Sequence, residues 1–271
     1  MSQSFHEFEH AGWEDAGVVA KYHEHLSGVT TQSMEALLDA ASVGENSRVL
    51  DVATGAGYVA AAAALRGATV VGIDFSAAQV RMARGRNPSL RFEQADAEVL
   101  PFESETFDAV VNAFGMCHLP NPDRALAEAF RVLRHGCRMA FTVWDAPERA
   151  VAFGALYAAV RTHGSMDVGL PVGPNFFLFS DPEQSARALR AAGFASPSVR
   201  QVPQIWRIAN SDELFETVSR GTVRAAATLR AQTPVARQAI RAALHDAVAA
   251  FRHGDGLELP MPALVATGIK P

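Results

Sequence analysis

The stretch Asp51-Val52-Ala53-Thr54-Gly55-Ala56-Gly57 constrains this chain more than any other. It separates a short apolar run, Arg48 to Ala53 (RVLDVA), from an alanine-rich run, Tyr58 to Arg66, that Gly67 stops. The first reads as a buried strand, the second as a helix, and the glycines as a tight loop joining them. The alternation continues. Thr69 to Asp74 (TVVGID) is a second strand, and Ser76 with Gln79 three residues on has the spacing of a helix start. Leu90 to Gln94, Phe107 to Ala113 (FDAVVNA) and Arg138 to Val143 read as strands three to five, with a helix over Asp123 to Leu133. This order predicts an α/β chain with a doubly wound, mostly parallel sheet.

Either side of that core the rhythm changes. Residues 1–45 read as polar helices. Residues 145–180 hold several Gly and Pro and the run Phe176, Phe177, Leu178, Phe179. Asp181-Pro182 caps a helix that ends at Gly193, Ser198 to Trp206 alternates like a strand, two helices fill Ser211 to Phe251, and Leu259 to Lys270 reads as a closing strand. The expected organisation is one structural domain: an N-terminal helical segment (1–45), a core (46–144), a cap insertion (145–180), and the rest of the core with a helical lid (181–271). The cap elements follow the fifth and sixth strands.

Composition excludes several classes. Lys and Arg number 24 against 29 Asp and Glu, a net charge of −5, without the basic excess that tracking nucleic acid requires. No polybasic cluster of the membrane-surface kind stands in the sequence, and the longest apolar run, Tyr58 to Leu65, is far short of a bilayer span. Two cysteines, Cys117 and Cys137, make no disulfide framework, and no leader is visible at the N-terminus, so a cytoplasmic setting is expected. His6-Glu7-Phe8-Glu9-His10 matches H-E-x-x-H, but on a polar segment with no third ligand, so no metal is assigned.

The glycine loop admits two readings. Gly55 to Ala60 fits the dinucleotide pattern G-x-G-x-x-G/A, with Asp74 near the distance for a ribose contact, so an NAD-linked oxidoreductase is one. Asp51 argues against it, because a carboxylate at the end of the first strand repels a pyrophosphate. Asp96 adds an acceptor suited to an adenine amino group. Asp51, Asp74 and Asp96 at three successive strand ends suit an adenosine with an amino-acid tail and a sulfonium.

The residues VLDVATGAG (49–57), VVGIDFS (70–76), the run from Gln94 to Trp144 and FSDPEQSARALRAAGF (179–194) resemble those of class I S-adenosylmethionine-dependent methyltransferases, in the group similar to the ubiquinone/menaquinone C-methyltransferases. Ala53 and Gly136-Cys137 depart from glycines common in that family. The resemblance implies a Rossmann-like sheet of seven strands, S-adenosylmethionine as cofactor with S-adenosylhomocysteine as product, and methyl transfer to a small-molecule acceptor. It implies that Asp51 and the backbone of Ala53, Gly55 and Gly57 hold the methionine end. Asp74 takes the ribose, Phe75 packs on adenine, and Asp96 with the Ala97 N–H reads the adenine edge. Asn112 offers its backbone to the ammonium, and Tyr22 and Thr31 close over the cofactor. A module that binds the cofactor without catalysis is the other reading inside the fold; an RNA methyltransferase is disfavoured by charge.

In-line methyl transfer needs alignment and exclusion of water more than covalent chemistry. His118 is the one candidate base, with a loop-capping role as the alternative. Phe153, Tyr157, Phe176, Phe177, Phe179 and Trp206 are candidates for an apolar acceptor pocket, with ordinary core packing as the alternative. Acceptor identity and oligomeric state stay open, a homodimer included.

Overall fold

Runs of buried Val, Ile, Leu and Ala set the strands, and polar caps set the helices between them. The computed structural model describes residues 3–271, so the first two residues of the expected N-terminal segment lie outside the described residues. In chain order the elements are α1 (Phe5–Glu14), α2 (Ala16–Thr30), α3 (Met34–Ala40), β1 (Arg48–Val52), α4 (Tyr58–Leu65), β2 (Thr69–Asp74) and α5 (Ala77–Arg86). Next come β3 (Arg91–Gln94), β4 (Phe107–Ala113), α6 (Pro122–Val132), β5 (Leu133–Trp144), α7 (Val151–His163), α8 (Pro182–Ala191), β6 (Ala195–Val202) and β7 (Ile205–Ile208). The chain closes with α9 (Ser211–Arg220), α10 (Arg224–Arg230), α11 (Pro234–Val248), β8 (Arg252–His253), β9 (Gly256–Pro260) and β10 (Ala263–Ile269).

Where the sequence predicts one structural domain, the chain divides into two compact units. A sheet unit holds Thr30–Trp144, Pro174–Val202 and Ala263–Pro271; a helical unit holds the residues up to Val29, Asp145–Gly173 and Pro203–Pro262. The expected N-terminal segment is thereby shared, Tyr22 falling in the helical unit and Thr31 in the sheet unit.

The sheet unit carries the predicted seven strands, in the order β3-β2-β1-β4-β5-β10-β6. β1 to β5 pair with one another in parallel, and β10 is antiparallel to both β5 and β6. Strand order reverses at β1, which lies between β2 and β4, and such a switch point is where open α/β sheets bind ligands. Alternation along the strands fills two cores. Val49, Val111 and Ala140 pack with Leu37, Leu38 and Val59, while Leu50, Val110 and Phe141 pack with Leu126, Phe179 and Leu189. The helix starts are capped as the sequence indicates: Ser76 Oγ accepts from the Gln79 N–H, and Asp181 Oδ1 from the Glu183 N–H.

The C-terminal half departs from the pattern. The alternating stretch at 198–206 is two strands, because Pro203 has no N–H to continue a ladder; β6 stays in the large sheet and β7 joins a three-stranded sheet, β7-β9-β8, in the helical unit. The expected closing strand likewise divides at Met261-Pro262 into β9 and β10. Three helices, not two, follow β7. β5 begins at Leu133, directly after α6, rather than at Arg138.

The helical unit is tied together by buried polar bonds. Gln204 Nε2 donates to the Val29 carbonyl at 2.7 Å, and Trp206 Nε1 donates to the His25 carbonyl at 3.0 Å. Glu9, with 0% exposure, accepts from Trp13 Nε1 at 3.1 Å and pairs with Arg224 at 2.8 Å.

Candidate functional site

The carboxyl ends of β1, β2 and β4 bring the predicted acidic and glycine residues together in the sheet unit. Asp51 stands opposite Gly72 of β2 and Val111 of β4, so its carboxylate is enclosed by strands on both sides. It is 1% exposed. Its Oδ2 accepts from Thr54 Oγ1 at 2.6 Å and from the Ala60 N–H at 3.0 Å, while its Oδ1 is buried with no hydrogen-bond partner. Burial, opposed by those two bonds and reinforced by the neighbouring Asp74, pushes its carboxyl up to about 7. An orphaned buried carboxylate oxygen is costly unless a donor or cation is meant to reach it. An ammonium at the end of the first strand meets that requirement, and a pyrophosphate does not.

Asp74 clamps the loop from the next strand. Its Oδ2 accepts from the Gly55 N–H and its Oδ1 from the Ser76 N–H, each at 3.0 Å. Phe75 is half-buried, its carbonyl accepting from Gln94 Nε2 at 2.9 Å. Asp96 closes a turn with the Glu98 N–H at 2.8 Å, and Ala97 is buried beside it. Asn112 acts here through its side chain. Its side chain donates to the Val52 carbonyl at 3.0 Å and accepts from the Gly115 and Met116 N–H groups, so it ties the loop after β4 to β1.

Three features of this edge were not legible in the sequence. Thr54 holds the Asp51 carboxylate, a role its three-residue spacing could have suggested. Ala53 and Phe114 both adopt left-handed backbone, φ 54° and 56°, which for a residue with a side chain marks strain of the kind that gathers at functional sites. Phe114 stacks on Trp144 with ring centroids 4.3 Å apart. The Ala53 methyl also explains Gly115, where an added Cβ would stand 2.7 Å from the Ala53 Cβ and 2.5 Å from Asn112 Nδ2. Gly115→Ala is therefore expected to cost about 1–3 kcal/mol by overpacking. Ala53→Gly should restore part of that loss, measured as thermal midpoints in a double-mutant cycle; additive losses would contradict the contact.

The remaining candidates fall in both units. In the sheet unit, Thr31 opens the short turn leading to α3, and the His118 ring lies edge-on to Phe176 at 6.1 Å. Phe176 and Phe177 are half-buried in T-shaped contact at 5.1 Å, and Phe179 is in the core. In the helical unit, Tyr22 packs between Trp13 and His23, Phe153 and Trp206 are buried, and Tyr157 is half-buried. Among the described residues, no group of three or more His, Cys, Asp or Glu side chains is arranged to hold a metal. No helix among them is long and apolar enough to cross a membrane.

A family model described as a methyltransferase domain matches residues 50–141, the segment that builds this edge. A demethylmenaquinone methyltransferase of Thermus thermophilus is 35% identical over 164 residues, which cover 55% of this chain and 74% of that protein. The chain belongs to the class I S-adenosylmethionine-dependent methyltransferases. Within them it falls in the group similar to the menaquinone methyltransferases, and its cofactor is S-adenosylmethionine. The dinucleotide reading of the glycine loop falls away. A second relative of the same name, from Renibacterium salmoninarum, is 35% identical over 120 residues; the match covers 44% of this chain and spans about half, 51%, of that protein. The crystal structure of a putative methyltransferase from Bacillus halodurans superposes with a TM-score of 0.55 at 22% identity, over 88% of this chain and 98% of that one, and shares the fold.

Proposed function

We propose that this methyltransferase acts on a small, largely apolar aromatic acceptor, and that the Asp51 edge is where its cofactor sits. The observation that carries the proposal is the Asp51 carboxylate, buried at the switch point with Oδ1 unpartnered beside the glycine loop. When bound, S-adenosylmethionine supplies a methyl carbon already activated by the sulfonium. The chain supplies position. Asp51 and the backbone from Ala53 to Gly57 hold the ammonium and carboxylate of the methionine end, with Asn112 fixing the facing loop. Asp74 accepts the ribose hydroxyls, Phe75 covers one face of the adenine, and Asp96 with the Ala97 N–H meets its edge. His118, held against Phe176, takes a proton from the acceptor.

The relatives named demethylmenaquinone methyltransferase support a finer reading, in which the acceptor is a reduced naphthoquinone-type ring methylated at carbon. The test is calorimetric titration of S-adenosylmethionine, S-adenosylhomocysteine and NAD against the parent and Asp74→Ala, followed by turnover with a demethylated naphthoquinol and a panel of phenols. Micromolar binding of both sulfur ligands, weakened at least tenfold by Asp74→Ala, is expected, as is a quinol product carrying one added methyl. Binding without turnover of any aromatic would remove the acceptor class and leave the cofactor site standing. A pH–rate profile unchanged in His118→Ala would remove the base.

A further inference from the structure

One end of the helical unit combines exposed apolar side chains with arginines that make no ion pair among the described residues. Three segments meet there on the buried Gln232. Its side-chain amide accepts from the Ser165 N–H at 2.9 Å and donates to the Ser165 carbonyl at 2.7 Å. Gly164 leaves no room for a Cβ against Gln232 and Ile240. This junction gathers the last turn of α7 with Arg161 and His163, the last residue of α10, Arg230, and the first turns of α11 with Val235 and Arg237. The loop from Ser165 to Gly173 is held at its far end as well, where Gly173 packs on the Phe5 ring.

The loop and the start of α11 show three apolar side chains to solvent. Val172 is 97% exposed, Val235 78% and Met166 47%. Arg161, Arg230 and Arg237 are all exposed and make no ion pair among the described residues. Elsewhere in the same unit Arg220, Arg224 and Arg241 are paired, with Glu216, Glu9 and Asp212. Asp167 is the one acid in the loop, so a chain of net charge −5 presents a local basic, apolar end.

We propose that this end docks on an anionic lipid surface. Met166, Val172 and Val235 enter the headgroup layer, while Arg161, Arg230 and Arg237 meet lipid phosphates. Nucleic acid would offer phosphates to the arginines but no apolar phase to Val172 and Val235, and so fits half of the surface. The inference is independent of the acceptor and of the cofactor site.

The test is sedimentation of the full chain, without cofactor or acceptor, with vesicles of phosphatidylcholine alone or of equimolar phosphatidylcholine and phosphatidylglycerol. The chain is expected to partition onto the anionic vesicles only, and to be released by high salt. Each of Arg161→Gln, Arg230→Gln and Arg237→Gln should lower partitioning about fivefold, and Val172→Asp should lower it as well. All these side chains are exposed, so circular dichroism and thermal midpoints should match the parent. No sedimentation with anionic vesicles, or sedimentation unchanged in the triple arginine variant, would overturn the proposal. So would retention on single-stranded RNA as strong as on vesicles and indifferent to Val172→Asp, which would assign the arginines to nucleic-acid phosphates.

Discussion

Asp51→Asn is expected to make the cofactor-free protein more stable at pH 8 while weakening S-adenosylmethionine binding about ten- to a hundredfold. Both effects come from one carboxylate whose folded pKa, about 7, lies above its ordinary 3.8. Between those values the unfolded chain has lost the proton and the folded chain has kept it. Stability is therefore full below pH 4, is lost as pH rises toward 7, and is flat beyond, a loss on the order of 4 kcal/mol. Asparagine can keep the bonds from Thr54 and Ala60 through its single oxygen and never ionises, so its stability should not fall over that window. Binding runs the other way. An ammonium selects the ionised carboxylate, so affinity for the parent should climb between pH 5 and 7 with uptake of cofactor releasing a proton. Thermal midpoints across pH, and calorimetry in buffers of different ionisation enthalpy, read the two effects separately. A parent-like climb of affinity in Asp51→Asn would place the titrating group elsewhere.

Arg224→Met should lower the thermal midpoint of the helical unit by roughly 10 °C at neutral pH, equivalent to about 3–5 kcal/mol. Glu9 is fully buried and Arg224 is its ion-pair partner at 2.8 Å, so removing the guanidinium leaves a carboxylate in a site water does not reach. The penalty belongs to the charged form of the carboxyl and shrinks when that form is removed. Adding Glu9→Gln to Arg224→Met should recover much of the stability at pH 7, because an amide in that place carries no charge to desolvate. An equal loss in the double variant would mean that the guanidinium acts through its packing over the Phe5 ring, 4.3 Å away, instead of through charge.

The sequence was most legible where local pattern and burial agree. TVVGID and FDAVVNA are short runs of mostly apolar residues, and β2 and β4 begin and end where those strings do. The acidic triad and the glycine loop were equally plain, because Asp74 closes β2 while Asp51 and Asp96 lie within two residues of the ends of β1 and β3. The small sheet of the helical unit was not, since β7 and β9 are short and a proline at or beside each hides the alternation that would mark a strand. Left-handed backbone at Ala53 and Phe114 leaves no trace in residue identity, unlike the same conformation at Gly57. The basic end of the helical unit shows in the sequence only as scattered arginines. Arg161, Arg230 and Arg237 belong to three separate helices, and only folding makes them neighbours.

The place of β10 bears on how the chain is made. It lies between β5 and β6, pairing Val265 with Thr142 on one side and with Arg200 on the other. A ribosome that has released everything up to Pro262 has thus delivered two strands whose facing edges have no filler. Unpaired edges of this kind recruit strands from other chains. The sheet closes only after β10, the last of its strands in chain order, enters between β5 and β6, a contact of high sequence separation and so a slow step. Nascent chains stalled before Ala263 should accordingly be aggregation-prone and dependent on chaperones, even though the whole glycine-loop edge has already emerged.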